Sequence, residues 1–126
     1  MCSSDLAGLA KCLDLGEWWL LETGLPLPLG VNVARRDLGE ERLQDLSEVL
    51  RDSIRAGLEN RDEAMRYAMR WGRGLDVDLA DRFVGMYVNE LTEDYGDEGR
   101  RAVRELLSRA EALGHYSEPV RVEFVS

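Results

Sequence analysis

Most of the chain shows apolar residues at the spacing of a helix, with one side facing a core and the other water. Leu43, Leu46, Leu50, Ile54 and Leu58 recur at three- and four-residue steps, which predicts an amphipathic helix of about five turns. The same spacing predicts three more helices, with these apolar residues: Ala64, Tyr67, Ala68 and Trp71; then Leu79, Phe83, Tyr87 and Leu91, widened by Met86 and Val88; and finally Val103, Leu106, Leu107, Ala110 and Leu113.

Helix start and stop residues divide these stretches. Asp14 suits an N-cap with Glu17 three residues later, so a further helix is predicted through Trp18 and Trp19 to Thr23, ending at Gly24. Asn60 closes the long helix and is a candidate cap for the next, with Glu63 three residues on. Helix stops are predicted at Gly72 and Gly74 and at Gly114, a helix start at Asp78, and a turn at Asp94-Tyr95-Gly96.

Four short segments lack the helical pattern. Residues 11–13 are predicted as a short buried strand, and residues 30–34 as a strand with Val31 and Val33 on one face. Between them the Leu-Pro-Leu-Pro-Leu run, residues 25–29, excludes a helix because each proline holds its predecessor extended. Residues 120–124 alternate like an edge strand, or form a tail.

Composition limits the classes of function. The chain has 126 residues, 44% of them hydrophobic and 33% charged, which is typical of one globular domain. A net charge of −9 repels phosphate backbones and anionic lipids, so we expect no nucleic-acid and no membrane partner. Cys2 and Cys12 suggest two reduced thiols rather than a disulfide. With no bilayer-length apolar run and no signal-peptide pattern, this favours a cytoplasmic protein.

The non-helical proline run offers the first candidate site. Prolines stiffen an extended segment and Gly30 lets a backbone or ligand approach closely, so Pro28, Leu29 and Gly30 are candidate cleft-lining residues that bind a substrate. A buried linker is the alternative. Adjacent helix positions lie 100° apart, so one of Trp18 and Trp19 can face a core while the other faces a groove. Alternatively, both tryptophans are packing residues.

Other polar residues have a structural interpretation beside the functional one. Arg35 and Arg36 could hold a carboxylate, but neighbouring acidic residues favour ion pairs within the protein. Asn89 and Thr92 lie three apart on a helix face, where hydrogen bonds at a helix end are the favoured explanation. His115, the only histidine, follows a stop signal and is predicted to lie on the surface, and no metal-ligand cluster appears.

Several of these motifs together resemble one family. Residues 14–19, 23–30, 35–39, 71–74 and 86–96 are similar to the C-terminal half of the menaquinone biosynthetic enzymes of the futalosine pathway. The resemblance implies an α/β fold class, as the C-terminal part of a two-lobed periplasmic-binding-protein-like (type II) fold that is mostly helical in this segment. Residues 7–36 would end the second lobe and cross over, and residues 37–126 would be the helical return part of the first lobe. Residues 1–6 are expected to be an artefact or an alternative start.

The resemblance also implies a function. The family converts cyclic dehypoxanthinyl futalosine to 1,4-dihydroxy-6-naphthoate in a lyase-type reaction without a metal or other cofactor. Its proton acceptor is the histidine of a His-Glu-Gly-Arg motif, which this sequence does not contain, so no catalytic residue transfers to it. The expected partner is a small-molecule substrate, bound together with a missing N-terminal half; the oligomeric state stays open. The alternatives are half of a solute-binding protein without catalysis, and a stand-alone helical interaction module.

Overall fold

The computed structural model describes residues 10–71 and 76–125, and its regular structure is helical. A 3₁₀ helix spans Arg36–Leu38. The α-helices are, in chain order, α1 (Leu15–Thr23), α2 (Glu40–Glu59), α3 (Arg61–Ala68), α4 (Val77–Tyr87), α5 (Glu90–Glu93) and α6 (Gly96–Ala112). The predictions for residues 1–6, for Cys2 and for the helix stop at Gly72 and Gly74 lie outside the described residues.

The predicted boundaries of α1 are confirmed. The carboxylate of Asp14 accepts hydrogen bonds from the backbone N–H groups of Gly16 and Glu17, at 2.9 and 3.1 Å. At the other end Gly24 has a φ of 68°, the left-handed conformation that a glycine adopts without a Cβ penalty, and its N–H bonds to Leu20. Local sequence chemistry therefore fixes both ends of this helix.

Two other helix starts differ in detail from the prediction. Asn60 ends α2, but its side-chain amide donates back to the carbonyl of Ala56 at 2.8 Å and forms no cap on α3. The cap of α4 is Asp76 rather than Asp78, because its carboxylate accepts from the N–H groups of Asp78 and Leu79. Asn60 bonds to the helix before it rather than the helix after it, and at α4 the earlier of two nearby aspartates supplies the cap; spacing alone distinguishes neither case.

The predicted strands, and with them the α/β fold class, are wrong. None of residues 10–71 and 76–125 lies in a β-strand, so the segments 11–13, 30–34 and 120–124 are extended or irregular instead. Leu13, expected in a buried strand, is 63% exposed. A strand exists only where a second extended segment pairs with its backbone groups. The described residues supply no such partner, so the expectation of a periplasmic-binding-protein-like fold is also not met.

The chain divides into two compact units, and α1 and α6 form the first, made of residues 10–28 and 97–120. Its buried side chains are Trp19, Ala102 and Val103. The Trp19 indole lies under the Arg109 guanidinium, 5.3 Å from ring centroid to Cζ, and Arg109 also pairs with Glu105 at 2.8 Å and with Glu22 at 3.7 Å. One large aromatic ring thus joins the two helices of this unit.

The second unit contains residues 29–71, 76–96 and 121–125, with α2 to α5. Met65 of α3 and Ala80 of α4 are its buried residues. Arg61 at the start of α3 donates to the Asp81 carboxylate at 2.8 Å and to the Asp81 carbonyl at 3.1 Å. The ring of Tyr95 meets that of Phe124 edge to face at 6.0 Å. Polar contacts therefore supplement a small apolar core.

Part of the predicted apolar stripes is not buried. Leu46 and Leu50 on α2 are 51% and 41% exposed. Phe83 and Tyr87 on α4 have their ring centroids 5.1 Å apart in a tilted arrangement and remain half exposed. Spacing identified these helical faces but could not show whether other residues cover them. None of the described helices has the length and apolar character needed to cross a bilayer.

We expect Trp19→Ala to lower the free energy of unfolding by about 3–5 kcal/mol, as is usual for a buried tryptophan. Trp19→Phe should lower it by less than about half as much, since the ring contact persists. The indole Nε1 is buried without a hydrogen-bond partner among the described residues, and phenylalanine removes that donor. Chemical denaturation measures both, with the half-exposed Trp18→Ala as the control. Equal losses at Trp18 and Trp19 would contradict the assignment of Trp19 to the core.

The Asp14 cap predicts a pH dependence. Hydrogen bonds from the backbone N–H groups of Glu17 and Gly16 hold the pKa of the Asp14 carboxyl below its ordinary value. A lowered pKa in the folded state contributes stability at pH values above the unfolded-state pKa, and this is lost as the pH falls through the folded-state pKa. The helical circular dichroism signal should therefore fall more below about pH 4 in the wild type than in Asp14→Asn, which caps without titrating. Identical pH profiles would rule out this role.

Candidate functional site

The structure places the predicted cleft-lining residues along the extended segment after α1. Pro28 is half-buried, while Leu29 is 59% exposed and Gly30 is exposed. A Cβ added to Gly30 would meet no atom within 4 Å, so the backbone here is open to approach. Pro28, Leu29 and Gly30 line neither of the two grooves described below. Their role as cleft-lining residues stays a prediction.

A groove of about 460 Å³ in the first unit lies where the Thr23-Gly24-Leu25 motif meets α6. The Thr23 hydroxyl donates to the carbonyl of Trp19 at 2.8 Å and accepts from the N–H of Leu25 at 3.1 Å. The α6 side of this groove is lined by Arg101, Arg104, Glu105 and Ser108. The threonine therefore ends the helix, and the charged side chains of α6 stand opposite the turn.

A larger groove, of about 820 Å³, lies in the second unit beside α5. Apolar side chains and two arginines line it, together with amide and acidic groups: Arg55, Leu58, Glu59, Arg61, Gly85, Val88, Asn89, Glu90, Leu91 and Glu93. No pattern in the sequence predicts this groove, because α2, α4 and α5 come together only in the fold. Arg55 and Glu93, which meet at its edge, are 38 residues apart.

Both arginines of this larger groove are already paired within the protein. Arg55 binds the Glu93 carboxylate through Nε and Nη2 at 2.8 and 2.7 Å. The hydrogen bond and charge of Glu93 raise the pKa of Arg55 above its ordinary value. Arg61 is held by Asp81, as described above, and a Cβ added to Gly85 would stand 3.3 Å from its Nη2. An anionic ligand would have to displace a carboxylate from each arginine.

Asn89, which lines this groove, and Thr92 cap the start of the short helix α5. The Asn89 side-chain oxygen accepts from the N–H of Leu91 at 3.0 Å, and the Thr92 hydroxyl accepts from the N–H of Asn89 at 3.1 Å. The same hydroxyl donates to the Tyr87 carbonyl at 2.9 Å. This reciprocal capping box confirms the structural interpretation of the two residues.

Arg35 and Arg36 also form ion pairs within the protein. Arg35 donates to the Asp37 carboxylate through two nitrogens, with Nε at 2.9 Å from Oδ1. Arg36 donates to the Arg121 carbonyl at 2.9 Å and lies 3.5 Å from the Glu123 carboxylate. The exposure of these side chains makes each pair worth little in stability, about 0–1 kcal/mol. The pairing nevertheless supports the structural alternative over carboxylate capture.

The titratable groups suggest no catalytic centre within the described residues. His115 is exposed after the end of α6, and its backbone N–H bonds to the carbonyl of Ala110 at 3.0 Å. Cys12 is an exposed free thiol. Across residues 10–71 and 76–125, no three His, Cys, Asp or Glu side chains stand together in a way that could hold a metal ion. The described residues form grooves that could contact a ligand, and they do not place a histidine as proton acceptor in either groove.

Comparison with known proteins gives consistent results. Residues 3–112 match a protein family described as menaquinone biosynthesis. The chain is 44% identical over 107 residues to a 1,4-dihydroxy-6-naphthoate synthase of Streptomyces coelicolor, covering 85% of this chain and 38% of that protein. It is 42% identical over 118 residues to a synthase of the same name from Thermus thermophilus, covering 94% and 43%. The chain thus spans about two fifths of the length of these curated relatives.

A solved structure is also similar to this chain. Protein AF1704 from Archaeoglobus fulgidus superimposes with a TM-score of 0.83 at 42% identity, over 90% of this chain and 43% of that chain. The curated relatives are named as synthases, so the alternatives of a solute-binding half and an interaction module gain no support.

We expect Thr92→Val to lower the free energy of unfolding by about 1–2 kcal/mol, because it removes both hydrogen bonds of the hydroxyl, the one from the Asn89 N–H and the one to the Tyr87 carbonyl. Thr92→Ser keeps the hydroxyl and should change the unfolding free energy by less than about 0.5 kcal/mol. Urea denaturation of the two variants measures the difference. If valine and serine were tolerated alike, the capping role would be refuted.

Proposed function

The chain belongs to the menaquinone biosynthesis family, and from this membership we propose that it forms the C-terminal portion of a 1,4-dihydroxy-6-naphthoate synthase. The identity of 42–44% to two synthases, extending over 85–94% of the chain, is the observation that carries this proposal. The proposed reaction is the lyase-type conversion of cyclic dehypoxanthinyl futalosine to 1,4-dihydroxy-6-naphthoate.

In this proposal the chain contributes a wall of the substrate site and not the base. Proton abstraction needs a group within hydrogen-bond reach of the substrate, and such a group typically contributes about 10²–10⁴-fold to the rate. His115 stands exposed in a turn and is not part of a His-Glu-Gly-Arg motif. The portion of the synthase outside the chain would therefore supply the proton acceptor.

We assign Pro28, Leu29 and Gly30 to the substrate side of this wall. The prolines restrict φ along the extended run, so the backbone groups there lose little freedom when a ligand binds. Gly30 has open space around its Cα, which supports close approach of a ligand to the backbone.

The test is a chimera in which this chain replaces the matching 118-residue segment of the Thermus thermophilus synthase. Residues 1–126 alone should not turn over cyclic dehypoxanthinyl futalosine. The chimera should retain at least about a hundredth of the parent rate, since misplacing positioning groups by about 1 Å costs about 10²-fold. Gly30→Val in the chimera should raise KM more than kcat falls, because the side chain occupies space next to the ligand.

His115→Ala is the control in both proteins and should leave turnover unchanged. Turnover by residues 1–126 alone that disappears in His115→Ala would overturn the proposed division of roles. A chimera that folds, judged by its circular dichroism and cooperative melt, but has no activity would overturn the proposed function.

A further inference from the structure

Helix α1 has apolar side chains on every side, unlike the amphipathic helices that follow it. Its exposed apolar surface, called here the α1 surface, consists of Leu15, Trp18, Leu20 and Leu21, which are 62%, 47%, 53% and 88% exposed. At 100° per residue Leu15, Trp18 and Leu21 follow one another at intervals of about 60° on one side of the helix, and Leu20 lies about 100° from Leu21. A helix that is apolar all round is normally buried, and an apolar surface of several neighbouring side chains usually marks an interaction site.

The α1 surface is presented on a helix that is held in place. Trp19, which lies between Leu15 and Leu20 around the helix, is 3% exposed and contacts Arg109 of α6. Glu22 pairs with the same arginine, and the two helix ends are fixed by Asp14 and Gly24. Because Trp19 anchors the helix to α6, α1 cannot rotate to bury the exposed side chains without withdrawing Trp19 from its own core.

We propose that the α1 surface docks the portion of the synthase that lies outside this chain, an inference that rests on the proposed function. The two relatives have more than half of their length outside the matched segment. The archaeal structure keeps a similar backbone in this part and also has more than half of its residues elsewhere. A second copy is a poorer occupant, because each copy has a net charge of −9 and brings Glu17 and Glu22 on α1 itself.

Cysteine labelling tests the docking surface directly. Leu21→Cys on α1 and Leu113→Cys, an isolated exposed leucine just after α6 in the same unit, form a matched pair at 88% and 76% exposure. Both are placed in residues 1–126 and in the Thermus chimera, with Cys2→Ser and Cys12→Ser as background. Maleimide should react with the Leu21→Cys thiol at least about tenfold more slowly in the chimera, and with the Leu113→Cys thiol at a rate unchanged within about twofold.

The outcomes separate this inference from the proposed function. If an active chimera reacts at both positions as fast as residues 1–126, the docking surface is wrong and the proposed function stands. If the Leu21→Cys thiol is protected but turnover is absent, the docking surface stands and the proposed function is wrong. Protection in residues 1–126 alone that is lost on dilution would identify a second copy as the occupant and overturn the inference.

If the chimera does not fold, a binding measurement between two separate polypeptides tests the same docking surface. Residues 1–126 are mixed with the remaining part of the Thermus synthase as a separate polypeptide, and binding is measured by the shift of tryptophan emission. Leu21→Glu should weaken binding at least about tenfold, because it buries an unpaired charge, and Leu113→Glu should not. Absence of binding by the wild-type chain, or equal effects of the two variants, would overturn the inference.

Discussion

Backbone hydrogen bonding decides which parts of this chain have regular structure. A helix pairs its N–H and C=O groups within its own segment, whereas a strand needs a second extended segment beside it. The long segments with helical apolar spacing form helices, although the helix predicted through Leu79 and Leu91 is divided into α4 and α5 by extended backbone at Val88 and Asn89. The two predicted strands near the proline run find no partner among the described residues. The same constraint explains why caps such as Asp14 and Asn89 matter, since they bind the N–H groups that a helix start leaves unpaired.

Few hydrophobic side chains are buried in the described part of this structure. Only five described hydrophobic side chains are nearly inaccessible, whereas the α1 surface, Phe83 and Tyr87 remain in contact with solvent. The relatives are more than twice as long as the matched segment, and the archaeal structure shows that a similar backbone exists within a longer chain. Helices with uncovered apolar faces are what a portion of a larger protein is expected to show, because the hydrophobic effect favours burying them against additional residues.

The polar residues that were candidates for ligand binding are occupied by contacts within the protein. Arg35 and Arg36 are candidate carboxylate-binding residues in the sequence, and Arg55 and Arg61 line the larger groove, yet each of the four is paired with a carboxylate in the structure. Asn89 and Thr92, which belong to the stretch at residues 86–96 that resembles the family, cap the start of α5. These residues shape the grooves, and the family membership rather than any described cluster of titratable groups connects the chain to menaquinone biosynthesis.

Sequence alone determined the features whose physics is local. Asp14 and Gly24 mark the two ends of α1, Asn60 ends α2 and Gly114 follows α6, because caps and left-handed glycines act over a few residues. The family was also recognisable from motifs spread over residues 14–96. Only the tertiary structure decided which of the adjacent tryptophans is buried, that Arg55 meets Glu93 across 38 residues, and that residues 30–34 form no strand. Those outcomes depend on contacts between segments distant in the chain, and apolar spacing defines a helical face without specifying what packs against it.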